Sequence, residues 1–229
     1  MRREMQEIRV RLLAQADKPY AAFQLALMPG VSPERVIGVR MPLLRARAWE
    51  LRGTDAARSF MDELPHAYVE EDNLHALLIG EIRDFDKACE AIECFLPFVS
   101  NWATCDSLRP KAFRGEKVRL LLKIRSWLSD AHPYTIRFGM EMLMVHFLGE
   151  NLVPETMQWV ADVRSDHYYV RMMAAWYFAT ALALNYDEAL AVVRENSLDA
   201  WTHNKAIEKA RESRRVSQEN KAFLLTLRR

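Results

Sequence analysis

From residue 68 onward one helical pattern follows another, with breaks too short to hold anything else. The stretch PYTIRFGMEMLMVHFL at 133–148 shows the pattern. Ile136, Met140, Leu143, Met144, Phe147 and Leu148 recur at the spacing of one helix face, while Arg137 and Glu141 fall off that stripe. Asp130 and Pro133 supply a start and Gly149 a stop. The same reasoning predicts helices over 68–83, 85–98, 101–112, 116–129, 154–163, 167–183, 186–196, 199–212 and 217–228. Upstream, a first helix is expected near 2–16, closed by DKPY. A loop follows through MPGVSPERVIGVRMP, and Pro42 suits the first turn of the helix LLRARAWELR. Gly53 and the pair Thr54–Asp55 stop that helix and cap another. Seven glycines and nine prolines in 229 residues are too few for the many turns of an all-β chain.

The helices come in pairs of about 30 to 40 residues, the scale of helical repeats. Stacked pairs make an all-α superhelix, a solenoid with a concave and a convex face. The alternative is a compact bundle, but only 168–184 looks buried on all sides. Alternation of the two layers puts 68–83, 101–112, 133–148, 167–183 and 199–212 in one of them. Trp102, Asp106, Arg137, Trp176 and Lys205 are then expected to face one groove, within a single domain spanning 1–229. Half the residues are hydrophobic and 28% charged, as in a globular protein. No run approaches the roughly 20 apolar residues of a membrane span, and MRREMQEIRVRLLAQAD is charged and amphipathic, unlike a secretory signal. Three cysteines without a C-x-x-C argue against a disulfide framework or a zinc site and for a reducing cytoplasm. The even charge and the lack of coiled-coil heptads point to a monomer.

One short stretch carries chemistry. In SNWATCDSLRPKAFRGEKVRL, Trp102 and Asp106 are four apart, so a helix sets them one above the other. Arg109, Lys111, Arg114, Lys117 and Arg119 follow. Two readings fit: a solvated helix beside a core Trp, or a site that holds something flat and cationic against a polyanion. The formal net charge is only +1, but the cations cluster at 40–52, 109–125 and 205–215. Arg, the residue suited to phosphate forks, outnumbers Lys. Glu71 and His75 are read as a helix-surface pair, with acid–base work in the groove as the alternative. His203 either touches DNA or packs beside Trp201. Cys105 and the methionines at 140, 142, 144, 172 and 173 are read as core. No phosphate-binding Gly loop occurs, and neither a metal nor a cofactor is expected.

Several stretches together carry a family resemblance: VIGVRMPLLRARAWEL, YVEEDNLHALLIG, NWATCD, PYTIRFGMEMLMVHF, YYVRMMAAWYFATAL and NKAIEKARESRRVS, in order from about 36 to 220. The chain resembles the AlkD-like DNA alkylation repair proteins, built from HEAT-like helical repeats. The resemblance implies a C-shaped solenoid that grips double-stranded DNA carrying alkylated bases. It implies excision of cationic N3- and N7-alkylated purines without flipping the base into a pocket. It also places the key residues on Trp102, Asp106, Arg137 and Trp176, all four of which match. Lys111, Arg171, Lys205 and Lys209 are candidates for phosphate contacts, and the expected location is cytoplasmic, with the nucleoid. Two rival functions stay open: a non-catalytic module that binds damaged or branched DNA, and a helical scaffold for another protein.

Overall fold

The computed structural model describes residues 3–195 and 197–229. Arg2 and Asn196, at the ends of two expected helices, lie outside the described residues. Among those described, all regular structure is helical. The chain packs as two compact units, Met1–Glu116 and Lys117–Arg229.

The C-terminal unit holds α8 (Lys117–Leu128), α9 (Pro133–His146), α10 (Glu155–Asp162), α11 (Tyr168–Leu184), α12 (Tyr186–Arg194), α13 (Ala200–Glu212) and α14 (Gln218–Thr226). Here α9, α11 and α13 lie side by side, and α10 packs on both α8 and α12. This is the expected alternation of layers for 133–148, 167–183 and 199–212. Its physical basis is the small-residue content of the central helix: Ala174, Ala175, Ala179 and Ala181 of α11 are buried and let neighbours approach on both sides. Gly139 does the same between α8 and α9, where an added Cβ would lie 3.3 Å from Trp127 and 3.2 Å from Leu128.

The N-terminal unit holds α1 (Arg3–Leu13), α2 (Lys18–Leu27), α3 (Met41–Leu51), α4 (Asp55–Met61), α5 (Val69–Glu81), α6 (Phe85–Phe95) and the short α7 (Trp102–Cys105). Helix α5 packs on α3, α4, α6 and α7. It is buried almost throughout, although it opens with Glu70, Glu71 and Asp72. Each acid is matched. Glu70 accepts from the amides of Ile37 (3.1 Å) and Gly38 (2.6 Å). Glu71 takes Arg9 through two bonds (2.6 and 3.0 Å) and the amides of Ala67 (2.9 Å) and Tyr68 (3.1 Å). Asp72 accepts from Arg35 at 2.9 Å. Buried carboxylates persist only when paired in this way, and the first turn of a helix favours negative charge.

Four sequence expectations are revised. The motif DKPY starts a helix as well as ending one: the Asp17 side chain accepts from the Tyr20 amide and caps α2, with Pro19 in the first turn. The helix expected over 101–112 stops at Cys105. Pro110 has no N–H to donate, and the residue before a proline is pushed out of the helical region. The chain runs instead into a 3-10 turn at Lys111–Phe113, anchored by fully buried Leu108 and Phe113. Arg137 and Glu141 are buried although they lie off the apolar stripe of α9. Glu71 and His75 are neither a surface pair nor joined to each other. His75 Nδ1 bonds His66 Nε2 at 2.9 Å, and its ring stacks on Phe95 with centroids 4.1 Å apart. Cys105, Met140, Met142 and Met173 are core, as expected, whereas Met144 and Met172 are only half-buried.

No helix among the described residues is long and apolar enough to cross a membrane.

Candidate functional site

In the N-terminal unit the site begins with a helix cap. Asn101 accepts from the Thr104 amide (2.9 Å), and Thr104 Oγ1 donates to Asn73 of α5 (2.8 Å), which fixes α7 against the buried helix. Trp102 opens α7 and Asp106 closes it. The Asp106 amide donates to the Trp102 carbonyl at 2.9 Å, so the two side chains sit one helical turn apart.

Trp102 is half-buried and held rigid. Its Nε1 donates to the Leu27 carbonyl at 2.9 Å, and its ring packs against Ala21, Met28, Val36 and Val69. Trp102 and the half-buried Asp106 line one cavity of about 300 Å³. Tyr20, Phe23 and Leu27 of α2, Met41 and Arg45 of α3, and Asn73 complete much of its wall. An apolar, aromatic cavity with a few converging polar groups is the usual form of a ligand site.

Tyr20, Phe23, Arg45 and Asn73 went unnoticed in the sequence. For Tyr20 and Phe23 the missing signal was the helix start at Asp17. For Arg45 it was present as the spacing Met41, Arg45, Trp49 on one face of α3.

In the C-terminal unit Trp176 is 38% exposed in the middle of α11, between buried Ala175 and Tyr177. It lines a cavity of about 370 Å³ with Lys209 of α13, and Thr180, Ser213 and Arg215 are beside them. Arg137 is 4% exposed and donates to the Tyr169 carbonyl at 2.9 Å. The other candidate cations make direct pairs. Arg171 pairs with Asp199 (2.7 Å) and lies 4.7 Å from the Trp201 ring centroid. Lys205 pairs with Glu208 (2.8 Å), and Lys111 pairs with Glu81 (2.5 Å) in the N-terminal unit. His203 is buried: Nε2 contacts the Leu227 carbonyl at 2.7 Å and Nδ1 meets Arg229 at 2.9 Å. It packs inward.

A family model described as DNA alkylation repair enzyme matches residues 8–209. The chain belongs to this family. No curated protein matches it. Membership covers both compact units and every candidate residue named above. It gives the carboxylate and the fixed indole beside it a DNA context.

Proposed function

We propose that this member of the DNA alkylation repair enzyme family is a glycosylase. It hydrolyses the N-glycosidic bond of cationic N3- and N7-alkylated purines in duplex DNA and does not flip the base. The observation that carries the reading is the pair on α7: Asp106 and Trp102, one turn apart, lining one aromatic cavity.

The chemistry follows from the lesion's charge. An alkylated purine is already positive, so it leaves without a general acid. As the bond from C1′ to the ring nitrogen breaks, its electron pair neutralises the base. Positive charge then develops on the sugar. A carboxylate beside that sugar stabilises the oxocarbenium character electrostatically. Asp106 fills this role and orients the water whose oxygen bonds to C1′; the water's proton passes to the carboxylate or to solvent. An aromatic face attracts a cation by about 0.5–1 kcal/mol when exposed and about 2 or more when desolvated. Trp102, pinned through Nε1 in the N-terminal unit, therefore favours a cationic nucleotide over a neutral one, and the exposed Trp176 offers the C-terminal unit a face of the same kind.

Lys209 beside Trp176 holds a backbone phosphate in this reading, whereas Arg137, buried and bonded to the Tyr169 carbonyl, anchors the first turn of α11 from inside. Lys111, Arg171 and Lys205 contact phosphate by exchanging their carboxylate partners. Each is a half-exposed pair of the kind that contributes about 1 kcal/mol or less, so DNA can compete for the cation.

The test is release of free 7-methylguanine from methylated duplex DNA. Asp106→Asn is expected to lower the rate by at least about 100-fold, the scale of removing one electrostatic stabiliser, while DNA affinity stays within a few-fold. Release by Asp106→Asn at the wild-type rate would remove the catalytic carboxylate from the reading.

A further inference from the structure

A second groove opens beside the Asp106 cavity. It has a volume of about 360 Å³ and is lined by Trp49, Arg45, Arg109, Lys111, Gly80 and Glu81, among others. Arg45 and Ser107 belong to both cavities, so they form the ridge between them. The geometry points to a nucleotide subsite: this groove takes the nucleotide next to the lesion on the same strand, and Arg45 grips the phosphate between the two. The inference rests on the proposal that DNA is the substrate, and it adds a positioning residue to that site.

The charge of the groove favours a phosphodiester. Three cations line it against one acid, Glu81, which Lys111 already neutralises at 2.5 Å. Arg45 is exposed and makes no hydrogen bond or ion pair among the described residues. A guanidinium that has no protein partner and stands between two cavities is placed to form a bidentate bond with a phosphate lying across the ridge.

The far wall suits the rest of the nucleotide. Trp49 is 56% exposed, with the Arg52 guanidinium 3.2 Å from its ring centroid. The ring gives an apolar surface for the deoxyribose, next to cations that draw the backbone in. Gly80 of α5 forms part of the wall between them. Once the shared phosphate is fixed on Arg45, the lesion's sugar has little freedom left beside Asp106, which is how a clamp outside the reacting atoms raises a rate.

The experiment uses the full chain and a duplex with one 7-methylguanine on a 2′-fluoroarabino sugar, which keeps the base cationic and resists hydrolysis. Single methylphosphonates, each removing one phosphate charge, are placed in turn on the lesion strand, and affinity is measured by fluorescence anisotropy. Wild type is expected to lose roughly tenfold at one phosphate adjoining the lesion, the scale of one charge-assisted bond. Arg45→Ala should bind the unmodified duplex about tenfold more weakly, lose nothing further at that phosphate, and lower the salt slope by about 1. At the other phosphates it should respond as wild type does. Trp49→Ala should weaken binding several-fold, and Trp49→Phe should restore most of it.

Strictly additive losses at every phosphate, or wild-type affinity for Arg45→Ala, overturn the subsite. Base release from methylated DNA is read separately. Coupling without release keeps the groove and ends the glycosylase proposal. Release without coupling does the reverse, and absence of DNA binding ends both.

Discussion

Gly38→Ala tests how the cavity wall is held. Gly38 has φ +85, and a Cβ there would lie 2.1 Å from the Asp17 carbonyl oxygen and 2.8 Å from the Ala21 amide nitrogen. Both obstacles are backbone atoms of the α2 N-terminus, so no side chain can swing aside. The left-handed conformation alone costs roughly 1–2 kcal/mol for an L residue. Forcing α2 outward adds the usual overpacking cost of about 1–3 kcal/mol. The sum is about 2–5 kcal/mol, read from urea unfolding. The matched control is Gly30→Ala. Its φ is +92, yet nothing lies within 4 Å of the added carbon, so it should show the backbone cost alone. Because α2 carries Tyr20, Phe23 and the Leu27 carbonyl that pins Trp102, Gly38→Ala should also slow base release at temperatures where the protein is still folded. If Gly38→Ala is no less stable than Gly30→Ala, the close approach does not hold α2, and the account of the cavity wall fails.

Three further outcomes are expected. Glu71→Ala leaves Arg9 and the amides of Ala67 and Tyr68 without their acceptor and should cost about 3–5 kcal/mol in the same assay; Glu71→Gln, which keeps an acceptor oxygen, should cost less. Burial pushes the His66 imidazole down to about 4 and His75 down to about 3, below the ordinary value near 6.5. Unfolded chains therefore bind protons that the folded pair refuses, and this part of the stability is full above pH 6.5 and lost as pH falls toward 4. Thermal melts across that range should show a shallower acid loss in His66→Gln than in wild type; an identical slope would mean the pair does not stay neutral. Trp176→Ala and Lys209→Ala, at the cavity they share, should each weaken binding to lesion-bearing duplex. Only the tryptophan change should narrow the preference for cationic over neutral bases, as measured by competition with undamaged DNA.

The sequence by itself determined the helices of the C-terminal unit and the turn-apart placement of Trp102 and Asp106. Both are local properties: apolar residues at a 3.6-residue period make a helix whatever surrounds them, and residues four apart on it share a face. Long-range partners decided the rest. YVEEDN clusters three acids, yet α5 lies inside because Arg9, Arg35 and the loop amides of Ile37 and Gly38 reach it from other parts of the chain. His75 was read with Glu71, its neighbour one turn away, but pairs with His66 across a loop. Arg137 and Glu141 left the apolar stripe and were buried all the same. The ridge of Arg45 and Ser107 came into view only once α3 and α7 were both packed on α5, since a cavity between elements is a property of their packing and belongs to none of them. Periodicity records which face of a helix is apolar. It carries no record of which polar residues will find a partner and be drawn inside, because that depends on contacts between residues tens of positions apart.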